Sequence, residues 1–159
     1  MTESLTVSRR RYRPVIKALD AACRGLETCR FPLGKLDRDS ILRAARRSAK
    51  LTDWGNEDFL EPMERMLRSA RSNELTALAR VFTRQASIKS VVNRLEVEAY
   101  VASHPEVEQV PIRRPLFILG FPRTGTTLLQ NLLSLHPERR ALRFWELATP
   151  VPISPDLEL

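Results

Sequence analysis

A chain of 159 residues with 43% hydrophobic and 28% charged side chains is long enough to bury a sizeable core and too apolar to be disordered. No run approaches the roughly 18 apolar residues that span a bilayer, and no apolar stretch of about 7 to 15 residues follows Arg9, Arg10, Arg11 and Arg13. A membrane span and a secretory signal are therefore not expected, and a cytoplasmic location is. The net charge of +7 raises nucleic acid or a membrane surface as partners. Most basic residues, however, are arginines interleaved with Glu61, Glu64, Glu74, Glu96 and Glu98, which reads as solvated helix faces with no dedicated nucleic-acid site. Only Arg9 to Arg13 cluster, with Tyr12 as the one aromatic among them.

In chain order, Val15, Ile16, Leu19, Ala22, Cys23 and Leu26 recur at helical spacing and predict a helix over 13–29, closed by Phe31-Pro32-Leu33-Gly34. Cys23 and Cys29 lack the spacing and histidine neighbours of a zinc site and are read as reduced thiols. A second helix, capped by Asp37 or Asp39, runs through Ile41, Leu42, Ala45, Ala49 and Leu51 to Trp54-Gly55. A third starts near Asn56 and buries Phe59, Leu60, Met63, Met66, Leu67 and Ala70, although Pro62 requires a start nearer Phe59. Residues 74–103 form one long helix or two joined near Ala86-Ser87, ended by His104-Pro105. The resulting division is a helical cap over 1–110 and a second domain over 111–159.

Beyond the linker Val110 to Arg114 the pattern changes. Leu116-Phe117-Ile118-Leu119 is a short continuous apolar run, expected to be a strand buried on both faces of a parallel sheet. It stops at Gly120, turns through Phe121-Pro122-Arg123-Thr124-Gly125, and opens a helix at Thr126 or Thr127 that reaches Leu135. Arg140 to Phe144 reads as the next strand of a β-α-β unit. Such a turn aims main-chain N–H groups and the positive end of a helix dipole at one point, where an anion binds. Gly120 and Gly125 have the spacing of a nucleoside-triphosphate loop, but Thr126 stands where that loop needs lysine. The cation is instead Arg123, inside the turn, whose planar fork suits an ester phosphate or sulfate handled without Mg²⁺. Thr124, Thr126 and Thr127 add hydroxyls.

Gly120 to Thr127 resembles the 5′-phosphosulfate loop of sulfotransferases that use 3′-phosphoadenosine 5′-phosphosulfate. Leu128 to Pro137 and Trp145-Glu146-Leu147 resemble the bacterial branch with a helical N-terminal extension, as do Leu51 to Gly55, Val92 to Leu95 and Pro111 to Pro115. The resemblance implies an α/β fold, in which a helical region precedes the start of a P-loop-like parallel β-α-β sulfotransferase domain, truncated here. It implies transfer of a sulfuryl group to a hydroxyl or amine of a small-molecule acceptor, with no metal. Gly120, Pro122, Arg123, Thr124, Gly125, Thr126 and Thr127 would bind the donor, and Arg123 would neutralise charge on the leaving phosphate.

The resemblance also implies a carboxylate base near Glu146, weighed against a turn in which Glu146 pairs with an arginine such as Arg143. His136, beside Pro137 at a helix end, is read as a partner of terminal carbonyls. Two other classes stay open: a P-loop nucleotide kinase or NTPase, for which the missing lysine speaks badly, and a basic helical module that binds nucleic acid. Because the segment for the donor's 3′-phosphate is not found, the chain alone is expected to bind donor weakly, transfer nothing and associate through its uncovered apolar strand.

Overall fold

The computed structural model describes residues 14–28, 33–121 and 123–152. Cys29, Phe31, Pro32, Pro122, the Arg9 to Arg13 cluster and residues 153–159 lie outside them. Helix α1 spans Pro14–Thr28, α2 Arg38–Ala49, α3 Leu60–Ser72 and α4 Ala77–Ser103, and a 3-10 turn covers Pro105–Gln109. Helices α5 and α6 follow at Thr126–Ser134 and Phe144–Ala148. The chain divides into two compact units, residues 1–92 and 93–159.

In the first unit local sequence sets each boundary. Asp37 caps α2, its Oδ2 accepting from Ser40 N at 2.9 Å, and Lys50 ends the helix in the left-handed region at φ 56°. Helix α3 begins at Leu60, so Pro62 sits in the first turn, where its missing N–H would have no helical partner anyway. Between them Asp53 Oδ1 accepts from Gly55 N at 2.9 Å, and the guanidinium of Arg46 lies 3.8 Å above the buried Trp54 ring. The core joins Leu36, Ile41 and Leu67, with Met63, Ala70, Leu75 and Ile88 packed against it.

Arginine holds this unit together in a way that composition did not suggest. Arg84 of α4 is only 8% exposed, and its Nη1 donates to Lys35 O at 2.6 Å. Arg71 of α3 donates to the next carbonyl, Leu36 O, at 2.7 Å and to Glu64 at 2.6 Å. Two helices thus grip consecutive carbonyls of the turn that leads into α2. Burial pulls the Arg84 pKa below its usual value, against the opposing influence of Asp37.

Helix α4 is continuous through Ala86-Ser87, and Ser87 Oγ donates back to Thr83 O at 2.8 Å within it. Its first N–H groups are met by Thr76 Oγ1, from Ala79 N at 3.2 Å, and by Asp20 Oδ1 of α1, from Leu78 N at 2.9 Å. In the second unit α4 ends where the His104 ring stacks on Tyr100 at 4.1 Å, just before Pro105.

The expected α/β architecture is not what forms. Among the described residues there is no strand, and the fold is helical. Residues 115–121 are free of helix or turn, yet among the described residues no main-chain hydrogen bond joins Leu116 to Leu119 to another segment. Apolar sequence makes a stretch sheet-competent, but a strand exists only when a neighbour pairs with it. The second expected strand fails differently. Residues 139–143 are irregular and Phe144 already begins α6, so Trp145-Glu146-Leu147 is helical. With neither strand paired, the parallel β-α-β unit is absent among the described residues.

Candidate anion-binding turn

The turn after Leu119 is built by two glycines and one strained arginine. A Cβ on Gly120 would stand 2.7 Å from Thr126 Cγ2 and 3.0 Å from Thr124 Oγ1, so a larger residue there would displace the first threonine of α5 from its place over the turn. Arg123 lies in the left-handed region at φ 67°, unusual for a side chain of its size, and Gly125 at φ 87° and ψ 11° forms the N-cap of α5. Gly125 supplies no side-chain acceptor, so the first N–H groups of α5 are left for water or a ligand.

The threonines divide their tasks. Thr124 Oγ1 donates to Phe121 O at 2.7 Å, spending its proton on closing the turn. Thr126 is half-buried against Gly120, while Thr127 is exposed on the next position of the helix. Arg123 is exposed and has no hydrogen bond or ion pair among the described residues, unlike Arg65, Arg71 and Arg140. An unpaired guanidinium and uncapped helix N–H groups are both groups that can bond an oxyanion, and here one short turn carries them. Gly120, Arg123, Thr124, Gly125, Thr126 and Thr127 are together in this turn, and Pro122 lies outside the described residues.

Glu146 belongs to a second cluster. It is the third residue of α6, its Oε2 accepts from Arg143 N at 2.5 Å, and its Oε1 is bonded to Arg140 Nη2. Its side chain is 12% exposed, so the carboxylate is drawn in against the start of its own helix. None of its partners is a residue of the turn. His136 Nδ1 accepts from Glu138 N at 3.3 Å, at the end of α5.

Two supporting side chains escaped the sequence reading. Gln130 Nε2 of α5 donates to Leu142 O at 3.1 Å, tying the helix behind the turn to the segment that leads into α6. Asn93 Nδ2 of α4 donates to Ala148 O at 3.0 Å and so holds the other end of α6. A polar amide inside an apolar helical stripe was the available signal for Asn93. Gln130 carried none.

Residues 115–155 match the model of the sulfotransferase family. That stretch is similar to sulfotransferases. The matched segment contains the whole turn, α5, α6, Arg123 and Glu146, and residues 1–114 lie outside the match. No curated protein and no solved structure matches the chain. No group of three or more His, Cys, Asp or Glu among the described residues could hold a metal ion, and no helix among them is long and apolar enough to cross a membrane.

Proposed function

We propose that the matched segment binds 3′-phosphoadenosine 5′-phosphosulfate at the Gly120 to Thr127 turn and that the sulfuryl group passes from it to a hydroxyl or amine of a small acceptor. The observation that carries this reading is the left-handed, unpaired Arg123 set between a glycine whose Cβ would crowd two threonine side chains and an uncapped helix start. Those features fit a phosphosulfate: the N–H groups and the fork of Arg123 take its 5′-phosphate oxygens, and no lysine is needed for a terminal phosphate.

In the transfer, the acceptor oxygen or nitrogen attacks sulfur, and the bond from sulfur to the bridging phosphate oxygen breaks. Adenosine 3′,5′-bisphosphate leaves, and its new charge falls where Arg123 stands. The acceptor proton goes to a base, for which Glu146 is our candidate. One carboxylate oxygen must then exchange its bond to Arg140 or to Arg143 N for the acceptor.

Thermal unfolding with adenosine 3′,5′-bisphosphate tests the reading. Ligand at about 100 times its Kd should stabilise the chain by about 2.7 kcal/mol, and Arg123→Ala should remove that protection while its own melting temperature stays near wild type. Protection by Mg-ATP in place of the bisphosphate would overturn the assignment.

A further inference from the structure

A single peptide group links the helix behind the turn to Glu146. Gln130 of α5 donates through Nε2 to Leu142 O at 3.1 Å, and the N–H of Arg143 donates to Glu146 Oε2 at 2.5 Å. That carbonyl and that N–H are the two ends of one planar trans unit, so they point in opposite directions and turn together. Whatever fixes the oxygen fixes the line along which the N–H meets the carboxylate. A donor on the oxygen also polarises the group and strengthens the bond at its nitrogen.

The helix that carries Glu146 depends on such support. Helix α6 has five residues, Phe144–Ala148, and a helix of that length does not persist in water by its own hydrogen bonds. Side chains from two other helices hold its ends: Gln130 at the Leu142 carbonyl that precedes it, and Asn93 of α4 at its last carbonyl, Ala148 O, at 3.0 Å. Asn93 Oδ1 is buried and has no hydrogen-bond partner among the described residues, so this amide opposes folding at its oxygen while its nitrogen holds α6. Gln130 adds a reference point. It lies four residues after Thr126, about 6 Å along the axis of the helix that starts from the anion-binding turn. Helix α5 therefore connects the turn to Gln130, and one peptide connects Gln130 to the carboxylate.

We infer that Gln130 is a positioning residue for Glu146, setting the carboxylate at a fixed place relative to the Gly120 to Thr127 turn. It acts through the Leu142–Arg143 peptide and not on the reacting atoms. The inference rests on the reading of Glu146 as the base.

Amide hydrogen exchange of the full chain, read by NMR, tests the linkage. Gln130→Met keeps an unbranched, helix-forming side chain and removes the donor. Protection of the Arg143 N–H should fall about three- to tenfold, the range one hydrogen bond supports, while Ile41 and Leu67 in the core of the other unit keep theirs. Gln130→Lys returns a donor and should restore it. Turnover then separates the inference from the base reading. In a sulfation-competent protein that contains this segment, Gln130→Met should lower kcat about threefold or more with the donor KM unchanged, and Gln130→Lys should recover it. In a Glu146→Gln background Gln130→Met should have no further effect, because it acts through that carboxylate. Arg143 protection indifferent to Gln130→Met would overturn the inference. So would full kcat in Gln130→Met where Glu146→Gln is impaired, or a loss in Gln130→Met that persists undiminished in the Glu146→Gln background; each of these leaves the base reading standing. Full kcat in Glu146→Gln would remove the base reading, and the positioning role with it.

Discussion

Arg123 holds a conformation that costs a side chain roughly 1 to 2 kcal/mol, and it does so at the point where the turn faces solvent. Backbone strain at an exposed, unpaired cation is tolerated where the cation must point at something. Arg123→Gly should therefore be more stable than Arg123→Ala by about 1 kcal/mol in urea denaturation, while both lose protection by adenosine 3′,5′-bisphosphate. Equal stability of the two would mean that the turn does not impose the left-handed state. Gly120→Ala should act oppositely. Its Cβ, 2.7 Å from Thr126 Cγ2, displaces the cradle and should weaken bisphosphate binding by about tenfold or more, since overpacking of this kind costs about 1 to 3 kcal/mol. Arg84 presents the opposite situation, a buried cation with a structural task. Arg84→Ala leaves Lys35 O without its donor and should destabilise the chain by about 1 to 3 kcal/mol. Burial lowers the Arg84 pKa, so the folded state disfavours the charged form relative to the unfolded chain. That unfavourable contribution is fully present well below the folded pKa and fades only as pH rises through it. Near neutrality it is constant, and melting between pH 6 and 8 should show no pH dependence from this group.

At the level of elements, capping and tertiary contacts divide the work. The start of α2 was readable, since Asp37 ahead of an apolar periodic run is an N-cap signal, and Asp37→Ala should cost about 0.5 to 2 kcal/mol by chemical denaturation. The start of α4 was only half readable. Thr76 is local, but Asp20 reaches Leu78 from 58 positions earlier in the chain, and no window of sequence contains both. Helix α6 shows the limit most clearly. Glu146 at its third position accepts from the N–H of Arg143, a helix-start arrangement that the reading of 140–144 as a strand concealed. For Glu146 as a base, Glu146→Gln in a sulfation-competent protein that contains this segment should lower kcat by about 10² to 10⁴ while the melting temperature barely moves, because glutamine still offers an oxygen to Arg143 N. A large fall in melting temperature with kcat retained would leave Glu146 with its helix-start role alone.

Across the whole molecule the two units differ in how well they cover apolar surface. The first encloses Leu36, Ile41 and Leu67, whereas the second leaves Phe117 80%, Leu119 91% and Phe144 86% exposed. Leu116 to Leu119 also leaves its main-chain groups without partners among the described residues. Exposed apolar sequence with open backbone groups is a template for pairing between molecules. Light scattering should show concentration-dependent association of the wild-type chain, reduced in Phe117→Lys. A monomer at all concentrations would refute it.

What the sequence by itself determined is local. Helical periodicity, the Asp37 cap, the first-turn proline of α3 and the glycine and arginine turn before α5 are written in neighbouring residues, because each rests on interactions a few positions apart. The residues of the proposed anion site lie close together for the same reason: main-chain N–H groups and one arginine need only eight consecutive residues, and the family match over 115–155 includes them. Tertiary structure alone decided that Leu116 to Leu119 is no strand, since pairing is a property of two segments. It alone decided that Arg84 is buried, that Asp20 caps a distant helix and that the stripe of α1 faces outward. Periodicity says which residues share a side of a helix; only the assembled unit says whether that side meets protein or is left open.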